Sequence, residues 1–164
     1  MKIRRDFVTN SSSSSFLLAF KDKDDGIVQI ASMIGEYGSN TIATLLEDFA
    51  NANPIPYEDV LERVSRYIKT DVWWSLCYSG RTSARDIWLE NNPGKRIWDY
   101  GDSEEFKKDS DIRTEEINDA LLRDIGDNRY IVELEYEDHT RVGSDLEHEI
   151  LPTAPFVVKI FNHH

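Results

Sequence analysis

The sequence predicts an α+β fold, in which a small antiparallel sheet unites the two chain ends around a helical middle section. Three observations predict it. Phe16 to Phe20 is a short run with apolar side chains on both parities, which suits a strand buried on both faces. After Gly126-Asp127-Asn128 the apolar period falls to two, with Tyr130, Val132, Leu134 and Tyr136 alternating with Ile131, Glu133, Glu135 and Glu137. Between these stretches, apolar residues recur at helical spacing.

The strands are expected near 15–21, 129–138 and 155–162, with the first one central because both of its faces want burial. Asp22-Lys23-Asp24-Asp25-Gly26 has the composition of a turn, and a helix is expected from Ile27 to about Gly35. Asn40 suits the N-cap of the next helix, whose stripe is Ile42, Leu45, Leu46 and Phe49; Pro54 and Pro56 stop it. Tyr57 opens the strongest helical pattern, Val60, Leu61, Val64, Tyr67 and Ile68, and the apolar density continues through Trp73 and Trp74. Ser83 to Asn91 is a shorter helical segment, and residues 95–112 carry few apolar anchors and are expected to be irregular. Thr114 would cap a last regular helix with Ile117, Leu121 and Ile125 on its apolar face. Ser144-Asp145-Leu146-Glu147 has capping-box spacing before a short helical turn that Pro152 stops.

The 164 residues fit a single domain, 1–164, and four Trp, seven Tyr and seven Phe among 40% hydrophobic residues can fill one core. Cys77 is the only cysteine, which excludes an internal disulfide framework. No apolar run approaches the roughly 18 residues of a membrane helix. Arg4-Arg5-Asp6-Phe7-Val8 looks like the core of a twin-arginine export signal, yet Asn10 and five serines follow instead of an apolar stretch. A cytoplasmic protein that makes no membrane contact is therefore expected. The net charge is −12, and residues 99–149 hold 18 acids against six bases. Such a surface argues against an extended nucleic-acid footprint. It would suit docking to a basic protein face.

Two features carry candidate chemistry. Ser11, Ser12, Ser13, Ser14 and Ser15 lie beside Arg4 and Arg5. As a loop they would offer hydroxyls and consecutive backbone N–H groups to an anionic group, or accept phosphate beside cationic partners. All four histidines, His139, His148, His163 and His164, fall in the last 26 residues. On a helical turn Ser144, Asp145 and His148 would share a face, with Asp145 or Asp138 orienting the ring as a general base. His148, His163, Glu147 and Asp138 could instead supply a divalent metal, although no metal-ligand motif supports one. The tryptophans at 73, 74, 88 and 98 are expected in core and rim.

The stretch Lys2 to Phe16, K-I-R-x-x-F-V-T-N-S-S-S-S-S-F, and the late Gly143-Ser144-Asp145-Leu146-Glu147-His148 followed by a strand ending in His-His resemble the two ends of a group of small uncharacterised bacterial and phage proteins. The likeness covers about 45 residues and implies no reaction, substrate or cofactor. It implies that the terminal His-His is native and that the two ends form one unit. The function expected is binding of an anionic small molecule or a protein partner where the serine loop meets the C-terminal histidines. A His-dependent enzyme of phosphoryl or nucleotide chemistry, with a serine or water nucleophile, is the first alternative. The second is an inhibitor or interaction protein of phage type, working through its acidic surface.

Overall fold

The computed structural model describes residues 13–78 and 83–163. In chain order these form β1 (Ser13–Phe20), α1 (Lys23–Ala31), α2 (Ile34–Tyr37), α3 (Ser39–Asn51), α4 (Val60–Tyr78), α5 (Ala84–Asn91), α6 (Glu104–Ile125), β2 (Tyr130–Glu137), α7 (Arg141–Asp145) and β3 (Val157–His163). The fold class is α+β. The described residues make two compact units: one combines those up to Tyr57 with those from Asp127 onward, and the other lies within Glu58–Gly126.

In the first unit the three strands form an antiparallel sheet of order β2-β1-β3, so β1 is central. Its apolar run explains the position: Phe16, Leu17, Leu18 and Phe20 are all fully buried, on both parities. One sheet face carries Phe16, Leu18 and Phe20 with Val132, Leu134 and Tyr136 of β2. It packs against Ile30 of α1 and Ile42, Leu45 and Phe49 of α3. Phe20 stacks edge-on against Phe49 at 5.1 Å and lies 5.0 Å from Phe156. Burying a phenylalanine this fully contributes about 1.5–3 kcal/mol.

Local signals differ from expectation in three places here. Asp22 is an N-cap rather than part of a free turn: its Oδ1 accepts from Asp25 N at 2.8 Å, and α1 begins at Lys23 with Asp24 and Asp25 in its favourable first turn. Gly26 is therefore helical. A side chain there would run into the Phe49 and Phe20 rings, so the glycine is what lets α1 lie close. Near the C-terminus, Thr140 rather than Ser144 caps α7, accepting from Gly143 N at 3.0 Å. Ser144 consequently sits inside the helix. Beyond Asp145 the winding loosens into a π-turn over Leu146–Ile150 and then tightens to a 3₁₀ turn over Leu151–Thr153.

The second unit is helical. The apolar stripe of α4 runs unbroken from Val60 through Val64, Ile68 and Val72 to Cys77, all buried. Ser83 caps α5, its Oγ accepting from Asp86 N at 3.2 Å. A six-residue 3₁₀ segment, Ile97–Asp102, then leads into α6. The helix begins at Glu104, where Ser103 accepts from Phe106 N at 3.0 Å and Glu104 and Glu105 fill the first turn. Residues 104–112 are thus helical, and Thr114 is an interior residue of α6 rather than its cap. Phe106 joins an aromatic cluster with Trp73 at 5.4 Å and Tyr100 at 5.2 Å. Across the surface, the Arg113 guanidinium of α6 donates to Ser75 Oγ of α4 and to Glu116.

Candidate functional site

The serine run is divided by the fold. Ser13, Ser14 and Ser15 are the first residues of β1, not loop residues, because each faces a neighbour on both sides of the central strand. Ser14 lies opposite Tyr136 of β2 and Asn162 of β3, and Ser15 lies opposite Glu135 and Phe161. Ser14 and Ser15 are buried. Arg4, Arg5, Ser11, Ser12 and His164 lie outside the described residues.

Strand alternation sends the two buried hydroxyls to opposite faces. On the core face, Ser14 Oγ donates to Glu147 Oε1 at 2.8 Å and lies 3.0 Å from the Asn162 side-chain amide. One hydroxyl carries one proton. With that proton on the carboxylate, the Asn162 contact is served when the amide presents its NH₂ to the hydroxyl. On the other face, Ser15 Oγ lies 2.8 Å from His163 Nε2, two residues along β3 from its direct partner. The polar end of the sheet therefore gathers serines, the C-terminal strand and the 146–150 turn in one place.

Glu147 is the unusual member. Its side chain is only 2% exposed, a burial rare for a carboxyl group unless it is fully paired. The π-turn supplies the reason. The α7 helix docks against the end of β2, with Gly143 so close to the Glu137 carbonyl that no side chain would fit. The looser winding then turns Leu146, Glu147 and Ile150 inward together. Oε1 is satisfied by Ser14, but Oε2 is buried with no hydrogen-bond partner. Its own neighbour lies beside it: His148 Nε2 is 3.5 Å from Oε2 without a hydrogen bond, and its ring is half-exposed. Asn162 is exposed beside the same hydroxyl.

The structure does not join Ser144, Asp145 and His148. Neither Ser144 nor Asp145 hydrogen-bonds the ring, because the change from α to π winding between them shifts the face they were expected to share; Glu147 takes that place. Of the expected metal set, Glu147 and His148 adjoin, while His163 contacts Ser15 and Asp138 lies in the turn after β2. Among the described residues no three His, Cys, Asp or Glu side chains gather as a metal set. His139 pairs with Glu137 across that turn at 3.0 Å, and both are exposed. Opposite Ser14 on β2, Tyr136 donates to Asp48 Oδ2 of α3 at 2.7 Å. Burial, and then that carboxylate, hold the phenol far above its ordinary range. Asn162 was missed by the sequence reasoning. Its only signal was a polar residue of β3 with the parity of Ser14, visible once the register is known.

No known protein family, curated protein or solved structure matches the chain. Among the described residues no helix is long and apolar enough to cross a membrane.

Proposed function

We propose that the polar end of the sheet is a binding site for a ligand or protein segment that brings N–H donors to Glu147, in a small acidic cytoplasmic protein akin to the bacterial and phage group it resembles at both ends. Asn162 and His148 form the approach, Ser14 holds the far carboxylate oxygen, and His163 lies with Ser15 on the opposite sheet face. The observation that carries the reading is the buried Glu147 Oε2 without a hydrogen bond, behind a half-exposed histidine. An unpaired buried carboxylate oxygen is costly, and a donor entering as His148 turns aside would remove that cost. An anionic ligand fits less well, since the carboxylate among the serines would repel it.

Calorimetric titration tests this with amines, amides and short peptides set against nucleotides, phosphosugars and divalent metals. Donor-bearing ligands should bind, Glu147→Ala should abolish the binding, and His148→Ala should change the affinity. Binding indifferent to both substitutions would sink the placement.

The Ser15–His163 contact favours the enzymatic reading, with Ser15 as nucleophile. Ser15 is fully buried in the central strand, which favours a structural hydroxyl instead. A fluorophosphonate probe separates the two: binding alone predicts no label on Ser15, and labelling that is lost in His163→Ala would establish the enzyme.

A further inference from the structure

The helical unit holds an open cleft of about 330 Å³ between α5, the 3₁₀ segment Ile97–Asp102 and the first turns of α6. One side of it is mostly apolar, with Ile87 and Trp88 from α5 and Tyr100 from the 3₁₀ segment, and Asn91 and Asn92 at the end of α5 add two amides. Trp88 and Tyr100 pack 5.7 Å apart. Both Trp88 and Tyr100 carry a donor, the indole N–H and the hydroxyl, that is buried beneath the cleft surface and has no hydrogen-bond partner. Tyr100 is fully buried. Leaving such groups unpaired costs free energy that folding alone does not recover.

The opposite lip is acidic. Glu105 and Asp109 stand four apart on α6 and both line the cleft. Among the described residues neither forms an ion pair or a side-chain hydrogen bond, whereas the neighbouring Glu104 is paired with Lys107. Among the described residues no basic side chain lines the cleft. The carboxylates are near enough to be felt by the phenol: burial first, then the charges of Asp109, Cys77 and Glu105, push Tyr100 up to about 12.

Unpaired donors, unpaired acids and the apolar part of the walls together define a ligand. The donors call for an oxygen acceptor, the carboxylates for a cation and the walls for a short hydrocarbon stem. The volume lies at the small end of ligand pockets, which run from about 300 to 1,000 Å³, so the occupant is about the size of an amino acid. We propose that this cleft binds a small molecule carrying a protonated amine next to an oxygen acceptor, the amine meeting Glu105 and Asp109 and the acceptor reaching the Trp88 N–H and Tyr100 O–H as the two rings shift to uncover them. The site shares no residue with the sheet end, and the two stand or fall separately.

Calorimetry on the full chain tests it, with lysine amide and 4-aminobutyramide as probes carrying both groups, butylamine as amine alone and butyramide as acceptor alone. The two-group probes should bind saturably and perturb tryptophan fluorescence, butylamine should bind more weakly, and butyramide should not bind. Asp109→Asn, isosteric and on a half-exposed residue, should weaken lysine amide about tenfold, as expected for a lost charge-assisted hydrogen bond. Tyr100→Phe should weaken it by about the same factor while raising the thermal midpoint of the free protein, because it deletes a buried hydroxyl that has no partner. The proposal is overturned if millimolar lysine amide gives no saturable signal, or if Asp109→Asn binds it as well as the wild type does. A fall in thermal midpoint for Tyr100→Phe would equally overturn it, by showing that the hydroxyl is already satisfied without a ligand.

Discussion

At the sheet end of the first unit the buried hydroxyl of Ser14 meets Glu147 at 2.8 Å, whereas in the helical unit the buried hydroxyl of Tyr100 meets no partner. The difference follows from how each hydroxyl is carried. Ser14 sits on a central strand, where strand register sets Asn162 of β3, and the docked 146–150 turn sets Glu147, at bonding distance. Tyr100 sits on a 3₁₀ turn among aromatic rings, which fill space but accept little. What each unit leaves over is also opposite: an acceptor, Glu147 Oε2, in the sheet unit, and two donors, Trp88 Nε1 and Tyr100 OH, in the helical one. A surplus acceptor would select donor-bearing ligands and surplus donors acceptor-bearing ones, which is why the two proposed sites call for different ligands.

The comparison can be broken at several places. The largest effect is expected from Gly143→Ala, because the new methyl would meet the Glu137 backbone carbonyl, which cannot swing away. A loss of about 3 kcal/mol, the upper end for overpacking, should appear in urea denaturation, with Glu147 displaced from Ser14. Next comes Ser14→Ala, which leaves Glu147 buried with neither oxygen hydrogen-bonded. About 2 kcal/mol should be lost, and wild-type stability would mean that the Ser14–Glu147 pair does not hold the turn.

Tyr136→Phe removes one satisfied hydroxyl, that on Asp48, and should cost about 1 kcal/mol. The same residue sharpens the contrast through pH. Tyr136 and Tyr100 both hold their protons more tightly folded than unfolded. Their contribution to stability is therefore complete below the unfolded value of 10.0 and is lost as pH rises above it. Tyrosinate absorbance should show Tyr100 ionising near pH 12, and Tyr136→Phe should flatten the alkaline decline in stability. The smallest effect belongs to Arg113→Ala, whose exposed contacts to Ser75 and Glu116 are worth about 0.5 kcal/mol.

The sheet was legible because its signals are periodic. The alternation of Tyr130 to Glu137 and the two-sided apolar run of Phe16 to Phe20 gave both strands and the central place of β1. Ser13, Ser14 and Ser15 were not legible as strand, because serine has no strand signature of its own and pairing on both sides decides their state. The start of α6 was hidden for the opposite reason. From Ser103 to Asp111 the sequence is mostly charged, and only the Ser103 cap and the two glutamates after it mark a helix. At the candidate site, Ser14, Ser15, Glu147, His148 and His163 could all be named from sequence, but not who meets whom. The expected Ser144–Asp145–His148 face assumed 3.6 residues per turn, and the π-turn over Leu146–Ile150 breaks that assumption. The cleft beside α5 was hidden altogether, since Trp88 and Tyr100 carry the same composition signal whether they pack a core or line a pocket.

Native-state hydrogen exchange on Ser14→Ala and Tyr100→Phe measures the contrast most directly, with β1 amides reporting on the first unit and α6 amides on the second. Each variant deletes one buried oxygen, and the two should move in opposite directions. Ser14→Ala should speed exchange along β1, and Tyr100→Phe should slow exchange along α6. Exchange that accelerates in both variants would contradict the division between a buried hydroxyl that is paired and one that is not.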